Sequence, residues 1–397
     1  MSTTTSGTNG GDSRALSLHA KLGTLRRLVR HYGSSVYHGA RGDPARILPT
    51  AYRAMRARLK YGIGPIPFSI LQLAQVPESQ WSTYVFDSES FKRMLRERSP
   101  REMLRIAYNK VLFYEHCLQA RLPTIPVVCR VGETPDPLGP AVVHADNAVR
   151  FAALLESAPA RLFIKPIDGT HAESAFLATR IGDGFEFAAR RGSAQDLFSH
   201  LEDLLEFHTG FIVQPQIRPH ADMRCLASEN GLPTVRVITA MYEAGPRVLF
   251  ACLKIPVGTS ISDNFADGAG GNLLAGIDLE NGTLTPARGS LRRDWPVIAE
   301  FESHPDTGYR IAGSRLPFWN EIAQAARNAQ ASLPKFRTVG WDVAATADGV
   351  LLVEANASYD MSILQVAHQR GLKAELTAKL DGLDSPFTPA APPAADG

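Results

Sequence analysis

No run of 18 apolar residues occurs in this 397-residue chain, so a membrane-spanning helix is not expected. The first 30 residues lack the apolar core of a secretion signal, which makes the cytoplasm the expected compartment. Only four cysteines are present, Cys117, Cys129, Cys225 and Cys252, and none belongs to a C-x-x-C pair. That spacing argues against zinc and redox motifs and predicts reduced, mostly buried thiols. The phosphate-loop signature G-x-x-x-x-G-K-[ST] is missing, as is any internal repeat. Acid is scarce at one end of the chain: residues 14–60 hold eleven Lys or Arg and a single carboxylate, Asp43.

With 44% hydrophobic residues the chain can form two or three packed units around a large core. Within the basic stretch, Leu18, Leu22, Leu25 and Leu28 with Val29 recur at helical spacing, while Lys21, Arg26, Arg27 and Arg30 take other positions. The stretch reads as an amphipathic basic helix with three open roles. It lies on an anionic membrane surface, grips an acidic partner, or docks its apolar face on the body with its arginines in water. An Arg-rich, acid-poor start also has the composition of a transit peptide. No aromatic platform accompanies the charge, so nucleic acid is not an expected partner.

Residues 1–13, rich in Ser, Thr and Gly, and residues 385–397, SPFTPAAPPAADG, have the composition of disordered tails. Residues 14–105 form a helical basic N-terminal region, with interruptions expected at Pro49-Thr50 and at Gly62 to Pro67. SPREMLRIAYNKVLFYEHCLQARLPTIP predicts one helix from a Ser99 cap to the residue before Pro123. Strands are expected at PVVCRVG and RLFIKPI, then a helix from Ala194 to His208, then strands at FIVQPQI, TVRVITAMY and VLFACLKIPVG. This mixed order predicts an α+β class.

The chemistry concentrates late in the chain, in VGWDVAATADGVLLVEANAS, residues 339–358. Two apolar runs flank Asp348-Gly349. A three-residue loop with Gly349 left-handed would set Thr346 opposite Val350 and Asp342 opposite Glu354, with Asn356 on the same face. A two-residue loop would shift the register by one and send Asp342 to the other face. Two carboxylates and an amide suit a hard cation such as Mg²⁺, which also grips phosphates; alternatively, Glu354 and Asn356 are solvated residues on an outer face.

Three further patterns point to anionic ligands. In ARLFIKPIDGTHAESAFLAT an apolar strand delivers Lys165 next to a turn containing Gly169, and a lysine there must meet an anion or escape to water. FIVQPQIRPH offers Gln214 to a flat ring, or is an ordinary connecting strand. Arg236 sits among Val235, Val237 and Ile238, where a guanidinium suits phosphate, carboxylate or a structural ion pair. Lys254 follows in ACLKIPVG, and ISDNFADGAGGNLLAGID supplies Asp263, Asn264, Gly268, Gly270 and Gly271, whose glycines allow close approach to a ligand or a flexible loop.

Taken in order, YNKVLFY, FIKPIDG, PTVRVIT, SDNFADGAGG and WDVAATADGVLLVEANAS resemble the ATP-grasp superfamily over about residues 100–375, most closely its sugar-transfer-associated branch, related to alpha-L-glutamate ligases. The resemblance implies an ATP-grasp fold, with a small sub-domain over 106–210 and a large one with a metal site over 211–384. It implies ATP and Mg²⁺ as cofactors. Lys110 and Lys165 would hold phosphates, Gln214 and Gln216 adenine, and Asp222 ribose, with Gly169 in the phosphate loop. Asp342, Glu354 and Asn356 would bind magnesium, and Arg236, with Lys254 and Asn264, would serve the reacting groups.

The implied activity is an ATP-dependent carboxylate-amine ligase working through an acyl-phosphate with release of ADP, on small or glycan-linked substrates in polysaccharide or cell-surface glycan synthesis. An ATP-grasp phosphotransferase and a non-catalytic nucleotide-binding module are the alternatives. The chain departs from the pattern in having one glycine after Lys165, Gln at 214 where many relatives carry glutamate, and ASYDMSILQ after Asn356.

Overall fold

The computed structural model describes residues 26–86, 88–97, 99–132, 141–168 and 174–381. The chain opens with helices: α1 through 26–39, α2 Ile47–Tyr61, α3 Pro65–Ile70, α4 Glu78–Trp81, α5 Ser88–Glu97, α6 Arg101–Tyr108 and α7 Lys110–Gln119. Pro49 does not interrupt α2, because it falls in the first turn, where its missing N–H has no helical partner to lose. The helix stops instead at Gly62, which takes a left-handed φ of 69°.

The single helix expected over 99–122 is broken in two. Asn109 is extended, and its side chain accepts the N–H groups of Val111 (2.9 Å) and Leu112 (3.2 Å), so it ends α6 and caps α7. Pro100, not Ser99, precedes α6; the Ser99 hydroxyl donates to the Leu95 carbonyl at 2.7 Å. The break places Lys110 at the first position of α7.

A six-stranded antiparallel sheet follows, built from β1 Cys129–Gly132, β2 Arg161–Pro166, β3 Phe176–Ile181, β4 Gly184–Phe187, β5 Arg190–Gly192 and β6 Gly210–Pro215, with α8 Ala148–Glu156 and α9 Ala194–Leu204. The strand order is β1-β6-β2-β3-β4-β5. Period-two alternation sends Leu162, Ile164, Phe211 and Val213 to one face, where they bury against Phe151 of α8 and Phe198 of α9. Each such side chain contributes about 1.5–3 kcal/mol relative to exposure. The other face carries Phe163 and Lys165 beside Gln214 and Ile212.

Two expectations shift here. The helix α9, held by a Ser193/Asp196 capping box, ends at Leu204, not His208. A division at residue 211 would cut β6, which pairs with both β1 and β2, so the small unit extends at least to Pro215.

The second sheet has seven antiparallel strands in the order β11-β10-β9-β8-β7-β12-β13. They are β7 Thr234–Tyr242, β8 Gly245–Ile255, β9 Leu273–Gly276, β10 Ala287–Ser290, β11 Ile298–Phe301, β12 Thr338–Thr346 and β13 Gly349–Asn356, with α10 Trp319–Ser332, α11 Met361–His368 and α12 Lys373–Asp381. Val235, Val237, Ala251, Leu253 and Val343 pack with Ile322 and Ala326 of α10 on one side. Ile238, Phe250, Cys252 and Leu274 pack on the other with Leu364 of α11 and with Phe68 and Trp81 from the helical N-terminal region. Beyond the reach of that apolar cover, the same side of the sheet turns polar.

Candidate active site

Four adjacent strands place charge in a row on this polar part of the large sheet. Arg236 on β7 pairs in register with Asp342 on β12, and Asp342 with Glu354 on β13. Lys254 on β8 lies opposite Thr234, two residues from Arg236 and therefore on the same face. The Asp342–Glu354 pairing does not come from a three-residue turn. The loop has two residues, Ala347 and Asp348, and Thr346 faces Gly349, not Val350. The register would then be wrong by one, but an extra residue at Val353 forms a bulge that returns Glu354 to Asp342. Asn356 follows, its amide donating to Glu354 Oε1 at 3.1 Å.

Asp342 is the electrostatic centre of the row and is only 2% exposed. Arg236 grips it with two N–H groups, Nε to Oδ1 and Nη2 to Oδ2 (3.0 Å), and Lys254 Nζ donates to Oδ2 at 2.9 Å. Burial pushes the Asp342 carboxyl up, yet Arg236 and Lys254 outweigh burial and hold it well below the usual carboxylate range. Lys254 is buried too, but Asp263, at 3.1 Å, and Asp342 raise it above the ordinary lysine value. Asp263 also accepts the hydroxyl of Thr234. Its part in the site had no period or pairing signal in the sequence. Cys252, opposite Arg236, is a neutral thiol that burial pushes up to about 12.

Lys165 of the small sheet projects into the same electrostatic field, which Lys110, Glu354, Asp263 and Asp342 share. It is 8% exposed, and among the described residues it makes no salt bridge; its ammonium lies 6.0 Å from the centre of the Phe163 ring. Burial first, then the neighbouring Lys110, push it down to about 8. Lys110 is also lowered by burial, against the pull of Glu354 and Asp168, and its ammonium reaches the Ile167 carbonyl at 3.4 Å.

The remaining expected residues divide. Gln214 shares the Lys165 face and is buried, donating to the Ile125 carbonyl at 3.4 Å. Gln216 donates to the Asn230 carbonyl at 3.1 Å, while its own Oε1 is buried with no hydrogen-bond partner among the described residues, an acceptor suited to an amino group on a ring edge. Asp222 is not drawn into the cluster: its exposed side chain stands 3.6 Å from His220 in a surface turn. Gly169 lies outside the described residues.

Asn264 serves its own loop, its side chain accepting the Ala266 N–H at 3.3 Å and its carbonyl accepting from Asn272 at 2.8 Å. The glycines there are used for internal packing. A Cβ on Gly268 would meet Ser290 at 2.7 Å, and one on Gly270 would meet the Asn264 carbonyl at 2.8 Å.

For a divalent cation the donor chemistry fits, since Asp342, Glu354 and Asn356 offer only hard oxygens on one face. Asp342 already takes three N–H donors, which leaves Glu354, with 35% of its side chain exposed, as the accessible carboxylate. No cluster of three His, Cys, Asp or Glu arranged for a metal occurs among the described residues, so the trio reaches three ligands only through the Asn356 amide.

The sequence pattern of the sugar-transfer associated ATP-grasp family matches residues 89–380. The chain belongs to this family. The two antiparallel sheets within this span are the family's α+β ATP-grasp fold, and a helical N-terminal region precedes them. Among solved structures, this ATP-grasp protein is similar to an L-amino acid ligase from Bacillus licheniformis, with 13% identity over 70% of this chain and 48% of that one and a TM-score of 0.36. It is also similar to the VanG D-Ala:D-Ser ligase from Enterococcus faecalis, with 12% identity, 70% and 62% coverage and a TM-score of 0.41. A D-alanine-D-alanine ligase from Helicobacter pylori gives 11% identity, 73% and 62% coverage and a TM-score of 0.39. The chain thus spans between about half and two thirds of the length of these proteins. No protein with a curated description matches it. Among the described residues no helix is long and apolar enough to cross a membrane.

Proposed function

We propose that this ATP-grasp protein is an ATP-dependent ligase that joins a carboxylate to an amine through an acyl-phosphate, releasing ADP and phosphate. The observation that carries this reading is Lys165, a buried ammonium that makes no salt bridge among the described residues and lies within electrostatic reach of Glu354, Asp263 and Asp342. An unpaired buried charge is costly unless something anionic arrives. A nucleotide polyphosphate supplies that charge, and Lys110 and Lys165 would take its oxygens. Gln214 and Gln216 line the same side for the base. Magnesium, held by Glu354 and Asn356 with Asp342, would neutralise phosphate oxygens when bound.

Bringing a carboxylate to the γ-phosphate sets anion against anion, so the chain must offset repulsion and hold the reactants in line. Arg236 and Lys254, fixed by Asp342 and Asp263, would hold the reactants in line, and Lys110 and Lys165 would offset the repulsion. A carboxylate oxygen forms a bond to the γ-phosphorus as its bond to the ADP oxygen breaks. An amine lone pair then adds to the acyl carbon, the carbon–oxygen bond to phosphate breaks, and the amine loses a proton. The ligase names of similar structures, and the family's sugar-transfer association, make small or glycan-linked carboxylates and amines the substrate classes to try first, in surface-glycan synthesis.

An intact-mass screen of carboxylate and amine mixtures with Mg-ATP tests the reading: the product should equal the two substrates less one water, with ADP formed in equal amount. A product heavier by one phosphate would make the protein a phosphotransferase, and ATP binding without ADP release would make it a non-catalytic module. In the same assay Glu354→Gln should lower turnover about 10²–10³-fold with little change in thermal unfolding. Full turnover in that variant would remove Glu354 from the reaction.

A further inference from the structure

The exposed face of α1 and α2 is unusually apolar. In α2 the small residues Thr50, Ala54 and Ala57 are buried inward. A second stripe at i, i+4, i+7 and i+11, namely Leu48, Tyr52, Met55 and Leu59, is turned outward; Leu48 is 80% and Leu59 79% exposed. Between α1 and α2 runs an open groove of ≈ 640 Å³ lined by Val29, Tyr37, Ile47, Met55 and Leu59 among others. Helix α1 docks on the body through other positions, with Ser35 buried and His31 set edge-on to Trp295 at 5.3 Å, so Leu28 and Val29 are left outside. A contiguous apolar surface of this kind is rare on a protein with nothing to cover it.

Charge says what covers it. Residues 26–60 contain nine Lys or Arg and one acid, Asp43. Asp43 is taken by Arg46 at 3.2 Å, and Glu78, from the next turn of chain, is taken by Arg56 and Lys60. Arg26, Arg27, Arg30 and Arg41 make no ion pair among the described residues, and Arg26, Arg27 and Arg30 flank the exposed Leu28 and Val29 on α1. A second copy of the chain on this face would set its unpaired arginines against their own copies, which disfavours a self-complementary interface. An anionic bilayer satisfies both features, because it accepts an apolar stripe into the acyl boundary and basic side chains at its phosphates.

We propose that α1 and α2 form a docking face for an anionic lipid surface, with Leu48, Tyr52, Met55 and Leu59 inserted and the α1 arginines on headgroups. The inference uses no property of the candidate active site and stands or falls apart from the ligase reading. It is tested by floating the full-length protein on a density gradient with vesicles of phosphatidylcholine alone or of equimolar phosphatidylcholine and phosphatidylglycerol. The protein should rise with the anionic vesicles, stay down with the neutral ones, and be released by high salt.

Leu48→Glu with Leu59→Glu should cut the bound fraction more than about tenfold, because two inserted side chains become charged. Arg26→Gln, Arg27→Gln and Arg30→Gln together should cut it by a similar factor. Both variants should keep the thermal unfolding midpoint and ATP binding in solution. Equal behaviour on both vesicle types, or unchanged binding in both variants, would overturn the proposal. A dimer seen by light scattering that Leu48→Glu with Leu59→Glu dissociates, with no vesicle binding by the parent protein, would give the face to a second copy. Salt-sensitive capture by a polyglutamate peptide without vesicle binding would give it to an acidic protein.

Discussion

Arg236 and Lys254 on the large sheet are as deeply buried as Lys165 on the small one, but they share Asp342 as a counter-ion and Lys254 adds Asp263, whereas Lys165 makes no salt bridge among the described residues. The consequence shows in their protonation: Lys254 is raised above the ordinary lysine value and Lys165 is pushed down to about 8. The large-sheet side is a finished electrostatic unit whose attraction is spent in the folded state. The small-sheet side holds an unfavourable charge that an incoming polyanion would relieve; on the proposed ligase reading, nucleotide affinity would draw on that side and positioning on the one opposite.

Breaking the finished unit should have the largest effect. Asp342→Ala leaves two buried cations without their shared partner, and loss of one member of a buried ion pair costs about 3–5 kcal/mol. The chemical unfolding midpoint should fall accordingly; an unchanged midpoint would mean that water already reaches the pair. Removing the unsatisfied charge should do the reverse. Lys165→Met retains the volume and deletes an ammonium with no salt bridge among the described residues, so stability should hold or rise while ATP affinity, measured by calorimetry, drops about 100-fold. A variant that unfolds more readily than the parent would show that Lys165 has a structural partner in the folded protein.

How much of this contrast could be read from sequence depends on the residue. Lys165 was visible because a strand of apolar residues has to end in something that explains the ammonium, and Asp342 and Glu354 because period two puts them on shared faces. Asp263 was named only as part of a loop, since no repeat period links a loop carboxylate to a lysine on a distant strand. Asn109 had the chemistry of an N-cap, but the helical spacing runs on through it without Gly or Pro, and the break comes from its side chain capping α7. The outward stripe of α2 was obscured because its inward face is made of small residues that look weakly apolar. Of the basic helix, Leu18, Leu22 and Leu25 lie outside the described residues, and Leu28 and Val29 are exposed.

The same contrast predicts a pH response of smaller size. Lys165 binds its proton less tightly in the folded protein than in the unfolded chain, so its charge opposes folding below about pH 8. That opposition fades as pH rises from about 8 toward the ordinary lysine value. Nucleotide binding has the opposite sign, because phosphate prefers the charged form. ATP affinity should therefore weaken above pH 8, by at most about tenfold per pH unit from this group. Lys165→Arg, charged throughout, should flatten the fall, whereas a profile that stays steep in the variant would assign the titration elsewhere.

The smallest effect separates the turn from the bulge as the source of the site's register. Gly349 has a φ of 106°, a conformation unfavourable for a residue with a side chain, yet a Cβ added there would meet nothing within 4 Å. Gly349→Ala should therefore act through the backbone alone and cost about 1 kcal/mol of stability. Because the extra residue at Val353 brings Glu354 opposite Asp342, strain at the turn should not be transmitted to the carboxylates. ATP affinity and turnover per folded molecule should match the parent protein. A loss of turnover beyond the loss of folded protein would show that the turn, and not the bulge, holds Glu354 in place.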